Sequence, residues 1–170
     1  MSTPRAQAPK VLPLEVRLAG PGDEATVLRL LLEAFEPYRS EYTPGGFADT
    51  TASEEVVRER FEIGKVWLAF DGDNAVGTVT ALPDDRGYGV YIRSMAVTPR
   101  AQGRGVGQRL LEALEQDART RGETHLHLYT TFVLPGAQPL YEKNGFVVTR
   151  ETAPEEWHNM GGVEMEKELI

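Results

Sequence analysis

Apolar and polar positions alternate over Leu14-Glu15-Val16-Arg17-Leu18, which predicts a half-buried strand. Val27, Leu30, Leu31 and Ala34 then recur at helical spacing. With Pro21 suited to a first helical turn, the pattern predicts a helix from 21 to about 35. Ser53 has the chemistry of an N-cap, Val57 and Phe61 share the face that follows it, and Gly64 is the stop of a second helix. Between the two, Glu36 to Thr51 mixes aromatic, acidic and turn residues and is read as a loop, a surface lid.

Val66-Trp67-Leu68-Ala69-Phe70 is a short apolar run, Asp71-Gly72-Asp73-Asn74 has hairpin-turn chemistry, and Ala75 to Leu82 returns as a strand. A turn over Asp84-Asp85-Arg86-Gly87 leads to a strand from Tyr88 to Val97. Leu111, Leu114 and Ala118 mark one face of a long helix that ends before Gly122. Leu126 and Leu128 alternate with His125, His127 and Tyr129 in a further strand. A shorter helix is expected from Ala137 to Lys143, stopped by Asn144-Gly145, before a last strand carrying Val163, Met165 and Leu169. Hairpins followed by strand, helix and strand imply an α/β chain, a mixed sheet flanked by helices.

Length allows one core. At 170 residues and 18.8 kDa, a flexible lead-in over 1–13 and a single domain over 14–170 are expected. No apolar run approaches the roughly 20 residues of a membrane span, and the first ten residues lack the apolar stretch of a signal peptide, so a cytoplasmic location is expected, with no membrane partner. The absence of cysteine excludes disulfides, thiolate metal sites and a cysteine acyl-enzyme. A formal charge of −8 disfavours nucleic acid as a partner and suits a cationic acceptor.

The densest chemistry lies where Met95-Ala96-Val97 ends a strand, Thr98-Pro99-Arg100-Ala101 turns, and Gln102-Gly103-Arg104-Gly105-Val106-Gly107-Gln108-Arg109 opens the long helix. Glycines let backbone approach a ligand closely, and the free N–H groups of a first helical turn favour phosphate oxygens. A phosphate-bearing ligand is therefore expected at 103 to 108. A P-loop requires Gly-Lys-Ser/Thr where Gly107 is followed by Gln108-Arg109, and the dinucleotide fingerprint does not match glycines at 103, 105 and 107.

The spacing Gln102-x-x-Gly105-x-Gly107 after a strand end, with Leu140-Tyr141-Glu142-Lys143-x-Gly145-Phe146 later in the chain, resembles the GNAT superfamily of acyl-CoA N-acetyltransferases. That resemblance implies a central, mostly antiparallel sheet, acetyl-CoA as cosubstrate without a metal, and a strand that splays from its neighbour so that Met95, Ala96 and Val97 face the pantetheine. It also implies that the Val97 N–H holds the acetyl carbonyl oxygen and that Tyr141 protonates the departing thiolate. The pyrophosphate would lie on Gln102, Gly103, Arg104, Gly105, Val106, Gly107 and Gln108. An asparagine common in the family seven residues before the tyrosine is here Leu134.

The expected activity is acetyl transfer from acetyl-CoA to a primary amine of a small molecule, by direct attack in a ternary complex. The alternatives are a protein N-terminus or lysine as acceptor, or a non-catalytic acyl-CoA sensor. Where the family often has a glutamate base, this chain has Tyr91, with Arg93 next on that face, leaving Glu36, Glu41 or a water chain. His125 and His127 have chelating spacing but no third ligand, so they are read as surface or packing residues. Trp157 and His158 are candidates for the acceptor pocket, and a monomer or homodimer is expected.

Overall fold

The structure is a computed structural model that describes residues 13–170. The expected lead-in over 1–13 therefore lies outside the described residues but for Pro13. Seven strands form one sheet in the order β1-β2-β3-β4-β5-β7-β6: β1 (Leu14–Leu18), β2 (Lys65–Asp71), β3 (Asn74–Pro83), β4 (Val90–Val97), β5 (His125–Thr131), β6 (Val147–Thr152) and β7 (Gly162–Glu168). Every neighbouring pair is antiparallel except β4 with β5. The mostly antiparallel sheet expected from the sequence is observed.

Helices cover both faces, and each face has its own core. On one, α4 (Val106–Thr120) and α5 (Ala137–Lys143) bury Leu110, Leu111, Leu114 and Tyr141 against Trp67, Val79, Ile92, Leu128 and Met165. On the other, α1 (Glu24–Phe35), α2 (Pro44–Thr51) and α3 (Glu54–Ile63) bury Leu30, Leu31, Phe47 and Val57 against Val66, Leu68 and Ala96. No described helix is long and apolar enough to cross a membrane.

Several elements differ from the sequence reading for local reasons. Helix α1 starts at Glu24 rather than 21, because Gly22 has φ +100° and breaks any helical path through Pro21. Ser53 does cap α3, its Oγ accepting the Val56 N–H at 3.3 Å. The segment 36–51 is no loop: a 3-10 helix over Glu36–Glu41 runs into α2, whose N-cap Thr43 accepts the Gly46 N–H. Tyr42 and Phe47 are buried there, so their aromatic rings are core residues and not lid decoration. Strand β4 begins at Val90 because Gly89, at φ +81°, leaves the extended region. Strand β6 has no counterpart in the sequence reading; it is an edge strand exposed along most of its length, so no alternation marks it.

The close seating of α4 on the sheet depends on Gly77 in β3. A Cβ there would lie 2.7 Å from Val106 Cγ1 and 3.0 Å from Leu110 Cδ1. Gly77→Ala is expected to cost about 1–3 kcal/mol through overpacking, read as a lower urea midpoint. An unchanged midpoint would mean that the start of α4 can lift from β3 without penalty.

Candidate functional site

Strands β4 and β5 run side by side only from Val90 opposite Leu126 to Ile92 opposite Leu128. Beyond that pair they separate. The divergence begins at a bulge: β3 pairs Thr80 with Arg93 but Thr78 with Ala96, so Val79 faces both Ser94 and Met95. Ser94 adopts the left-handed region at φ +56°, and its Oγ accepts a hydrogen bond from Arg60 Nη1 at 3.0 Å. After the bulge, Thr98 N–H donates to Val76 O at 2.9 Å. Antiparallel partners alternate in the direction of their backbone groups, so the Val97 N–H points away from β3, toward the side that β5 has left.

A cavity of about 780 Å³ occupies the gap. Its lining residues form two sets. The first comprises Met95, Ala96, Val97, Gln102, Gly103, Gly105, Val106, Gly107 and Gln108 with Tyr141 across from them. The second is aromatic: Phe35, Tyr38, Tyr42, Tyr91, Tyr129 and Trp157, together with Arg93.

In the first set the backbone supplies the chemistry. Gly103 and Gly105 have φ +79° and +78°, and a Cβ on either would meet no described atom within 4 Å, so both are open toward ligand space. The first amide of α4 to reach a helical acceptor is that of Arg109, bonded to Gly105 O at 3.0 Å. The amides of 103–108 thus donate to no backbone carbonyl among the described residues, which is the condition for an anion site at a helix start. Gly107 contributes differently, since its missing side chain lets Leu140 Cδ2 come within 3.0 Å of where a Cβ would be.

Arg104 does not line the cavity; its guanidinium bonds Asp71 at 2.6 Å, so only its backbone belongs to the cradle. Gln102 Nε2 donates to Val97 O at 3.3 Å and braces the turn. Leu134 lines the cavity, but with an apolar side chain that cannot make the hydrogen bond of an asparagine.

Tyr141 is buried on α5, packed edge-on to Phe146 with ring centroids 5.6 Å apart. Burial, with Tyr91 nearby, pushes its phenol well above the usual tyrosine range, so it stays protonated. Its hydroxyl donates no hydrogen bond among the described residues, and the residue lies at the cavity wall.

Arg93 and Trp157 are tied down by Asp49 of α2, for which the sequence carried no local signal. Its Oδ1 pairs with Arg93 Nη2 at 2.8 Å, and its Oδ2 accepts the Trp157 Nε1–H at 2.9 Å and faces His158 Nε2 at 3.4 Å. Burial alone would raise the Asp49 carboxyl, but the Arg93 charge and the Trp157 hydrogen bond outweigh it and hold the group below its ordinary value. No Asp or Glu lines the cavity among the described residues. Glu36 is spent on a two-point contact with Arg39, and Glu41 is exposed elsewhere. His127 is buried under Tyr88, 3.5 Å from Asp84, and stacks on His125; no group of three or more potential ligands that could hold a metal occurs among the described residues.

This geometry has known counterparts. The model of the Acetyltransferase (GNAT) family matches residues 27–146, which include the bulged strand, the glycine cradle and Tyr141. The chain belongs to the GNAT family. It is 33% identical over 86 residues to a probable N-acetyltransferase 14 of Xenopus tropicalis, covering 50% of this chain and 42% of that protein. It is 32% identical over 132 residues to the mycothiol acetyltransferase of Gordonia bronchialis, covering 75% of this chain and 41% of that protein. The GNAT chain thus spans less than half the length of these curated relatives. Among solved structures, the PaiA N-acetyltransferase of Thermoplasma acidophilum in complex with coenzyme A has a TM-score of 0.79 at 17% identity, covering 93% of this chain and all of the other, a likeness of fold.

Proposed function

We propose that this GNAT chain is an acetyl-CoA-dependent N-acetyltransferase that passes acetyl to a primary amine of a small molecule, by direct attack in a ternary complex. One observation carries the reading: a single cavity joins the unengaged amides of 103–108, the freed edge of β4 at Val97 and the buried hydroxyl-bearing ring of Tyr141. The cradle suits a pyrophosphate, and the freed β4 edge suits an extended amide-bearing arm.

The chemistry follows from placement. The amine nitrogen attacks the thioester carbonyl, the C–N bond forms and the C–S bond breaks. Negative charge that develops on the carbonyl oxygen is met by the Val97 N–H, a fixed donor that needs no reorganisation. The departing thiolate takes the phenolic proton of Tyr141, a mildly uphill transfer because a thiol of pKa about 8.5 is a stronger acid than a phenol of about 10, and solvent then returns a proton to the phenolate. The low-dielectric surroundings that raise the phenol disfavour the thiolate as well, which limits the mismatch. With no carboxylate on the wall among the described residues, the surplus proton of the amine goes to solvent. Aromatic rings crowd the acceptor end, which supports a compact acceptor over a protein lysine.

Acetyl-CoA at a hundredfold excess over its dissociation constant is expected to stabilise the fold by about 2.7 kcal/mol, seen as a higher melting temperature, while NAD and ATP do much less. Gly105→Asp places a carboxylate among the free amides and is expected to remove acetyl-CoA binding in calorimetry. Gly105→Ala, which carries the cost of a left-handed backbone without the charge, should retain part of it. Wild-type affinity in the aspartate variant would move the phosphate site elsewhere.

Tyr141→Phe keeps the packing and loses the proton donor, so acetyl-CoA affinity should hold while kcat falls about 100-fold. An unchanged kcat, where chemistry limits turnover, would make Tyr141 a packing residue only. Since the acceptor must arrive as free base, kcat/KM should rise about tenfold per pH unit below the pKa of the amine. A plateau reached near neutrality with a strongly basic amine would instead reveal a base on the protein.

A further inference from the structure

Arg60 of α3 lies behind the end of the cavity that holds the aromatic set, bonded through Nη1 to Ser94, which lines it, and it is only 4% exposed. That hydrogen bond to Ser94 Oγ is the one its guanidinium makes among the described residues, and no carboxylate there lies within ion-pair distance. Glu59 beside it on α3 is exposed. Burial, reinforced by the charge of Arg93, pushes the Arg60 group down to about 10. Arg93 immediately precedes Ser94 on the same bulged strand, lines the cavity and is partly exposed. Asp49 pairs with Arg93 alone of the two guanidinium groups, and its two oxygens are already divided among Arg93, Trp157 and His158, so the charge of Arg60 has no carboxylate in contact among the described residues.

The cluster carries one positive charge more than its carboxylate balances, in a wall that has no acid of its own among the described residues. Asp49 engages Nη2 of Arg93, and no other hydrogen bond occupies that side chain among the described residues. A buried, uncompensated cation beside an apolar cavity is costly unless a ligand anion completes it. A planar monoanion matches both the single surplus charge and the fork of a guanidinium. Phe35, Tyr38, Tyr42, Tyr129 and Trp157 supply an apolar surface next to it.

We infer that the acceptor is an amine that also carries a carboxylate, an amino acid with an apolar or aromatic body, whose carboxylate sits on Arg93 with Arg60 behind it. The inference rests on the acetyltransferase reading and narrows its substrate. Asp49 acts as a positioning residue that aims Arg93 and Trp157 into the cavity. Arg93 sets specificity and takes no part in bond making.

The test compares matched pairs with acetyl-CoA present: L-phenylalanine against 2-phenylethylamine, and L-leucine against 3-methylbutylamine, each at equal free-base concentration. The carboxylated member is expected to have a kcat/KM at least about tenfold higher, the worth of a charge-assisted hydrogen bond. Arg93→Gln should collapse that preference to near unity through KM, with acetyl-CoA affinity unchanged as the control for folding; Arg93→Lys, which keeps charge without the fork, should fall between. Equal or better use of the decarboxylated amines overturns the inference, as does equal loss of both members in Arg93→Gln. Bound coenzyme with no member acetylated overturns it too. Failure of acetyl-CoA to bind at all would instead sink the acetyltransferase reading beneath it.

Discussion

Backbone groups at a sheet edge must find partners, and in this chain the sheet itself withholds them. After Ile92 and Leu128 the parallel strands β4 and β5 stop pairing, yet both run on through the interior for several more residues. Strand β5 compensates by pairing along its whole length with β7 on its other side. Among the described residues strand β4 has no such second strand past Arg93 on the cavity side, so the Val97 N–H there remains for a ligand, while Val97 O is held by Gln102. The bulge at Ser94 and Met95 accompanies the parting, since an extra residue bends the strand that carries it. A site built from backbone in this way tolerates ordinary side chains at Met95, Ala96 and Val97, because what matters is the direction of their amides.

The electrostatics of the site run against the character of the whole chain. A net charge of −8 suggested a cationic acceptor, but that charge lies on outward faces, for example the exposed glutamates Glu54 and Glu55 of α3 and Glu168 at the end of β7. The charged residues on the cavity wall are Arg93 and Lys143, both cations. Net charge governs solubility and distant steering, whereas recognition depends on the few groups within a Debye length of the ligand that water does not screen. The local sign is therefore the better guide to the acceptor.

Much of this was legible in the residues. The cradle announced itself because glycines before an amphipathic helix have few other uses, and the cores followed from helical and strand periods at Leu30, Leu31, Leu111 and Leu114. The acceptor end was harder to read. Arg60 did leave a trace: it is three residues beyond Val57 on the buried face of α3, a charged residue at a core position. Asp49 left none, since its partners Arg93 and Trp157 are distant in sequence and only folding joins them. The segment 36–51 misled because its aromatics are spread over a 3-10 turn and a short helix, each too brief to establish a period. Strand β6 was hidden for the opposite reason, since an exposed edge strand has no buried face to pattern.

The three glycines of the cradle are not equivalent, and the difference separates backbone shape from helix packing. Gly103 and Gly105 are required by their positive φ and by the open space in front of them. Gly107 lies inside α4, where any residue could be helical, and what it provides is room for Leu140. Leu140 precedes Tyr141 on α5, so its seat on the start of α4 ties the helix of the tyrosine to the helix of the cradle. A Cβ at 107 would meet the end of the Leu140 side chain, which has to give by a few tenths of an ångström, whereas one at 103 or 105 meets nothing and is opposed by the backbone alone. Two of the glycines are thus there for the shape of the loop, and the third for the packing of α5 on the start of α4.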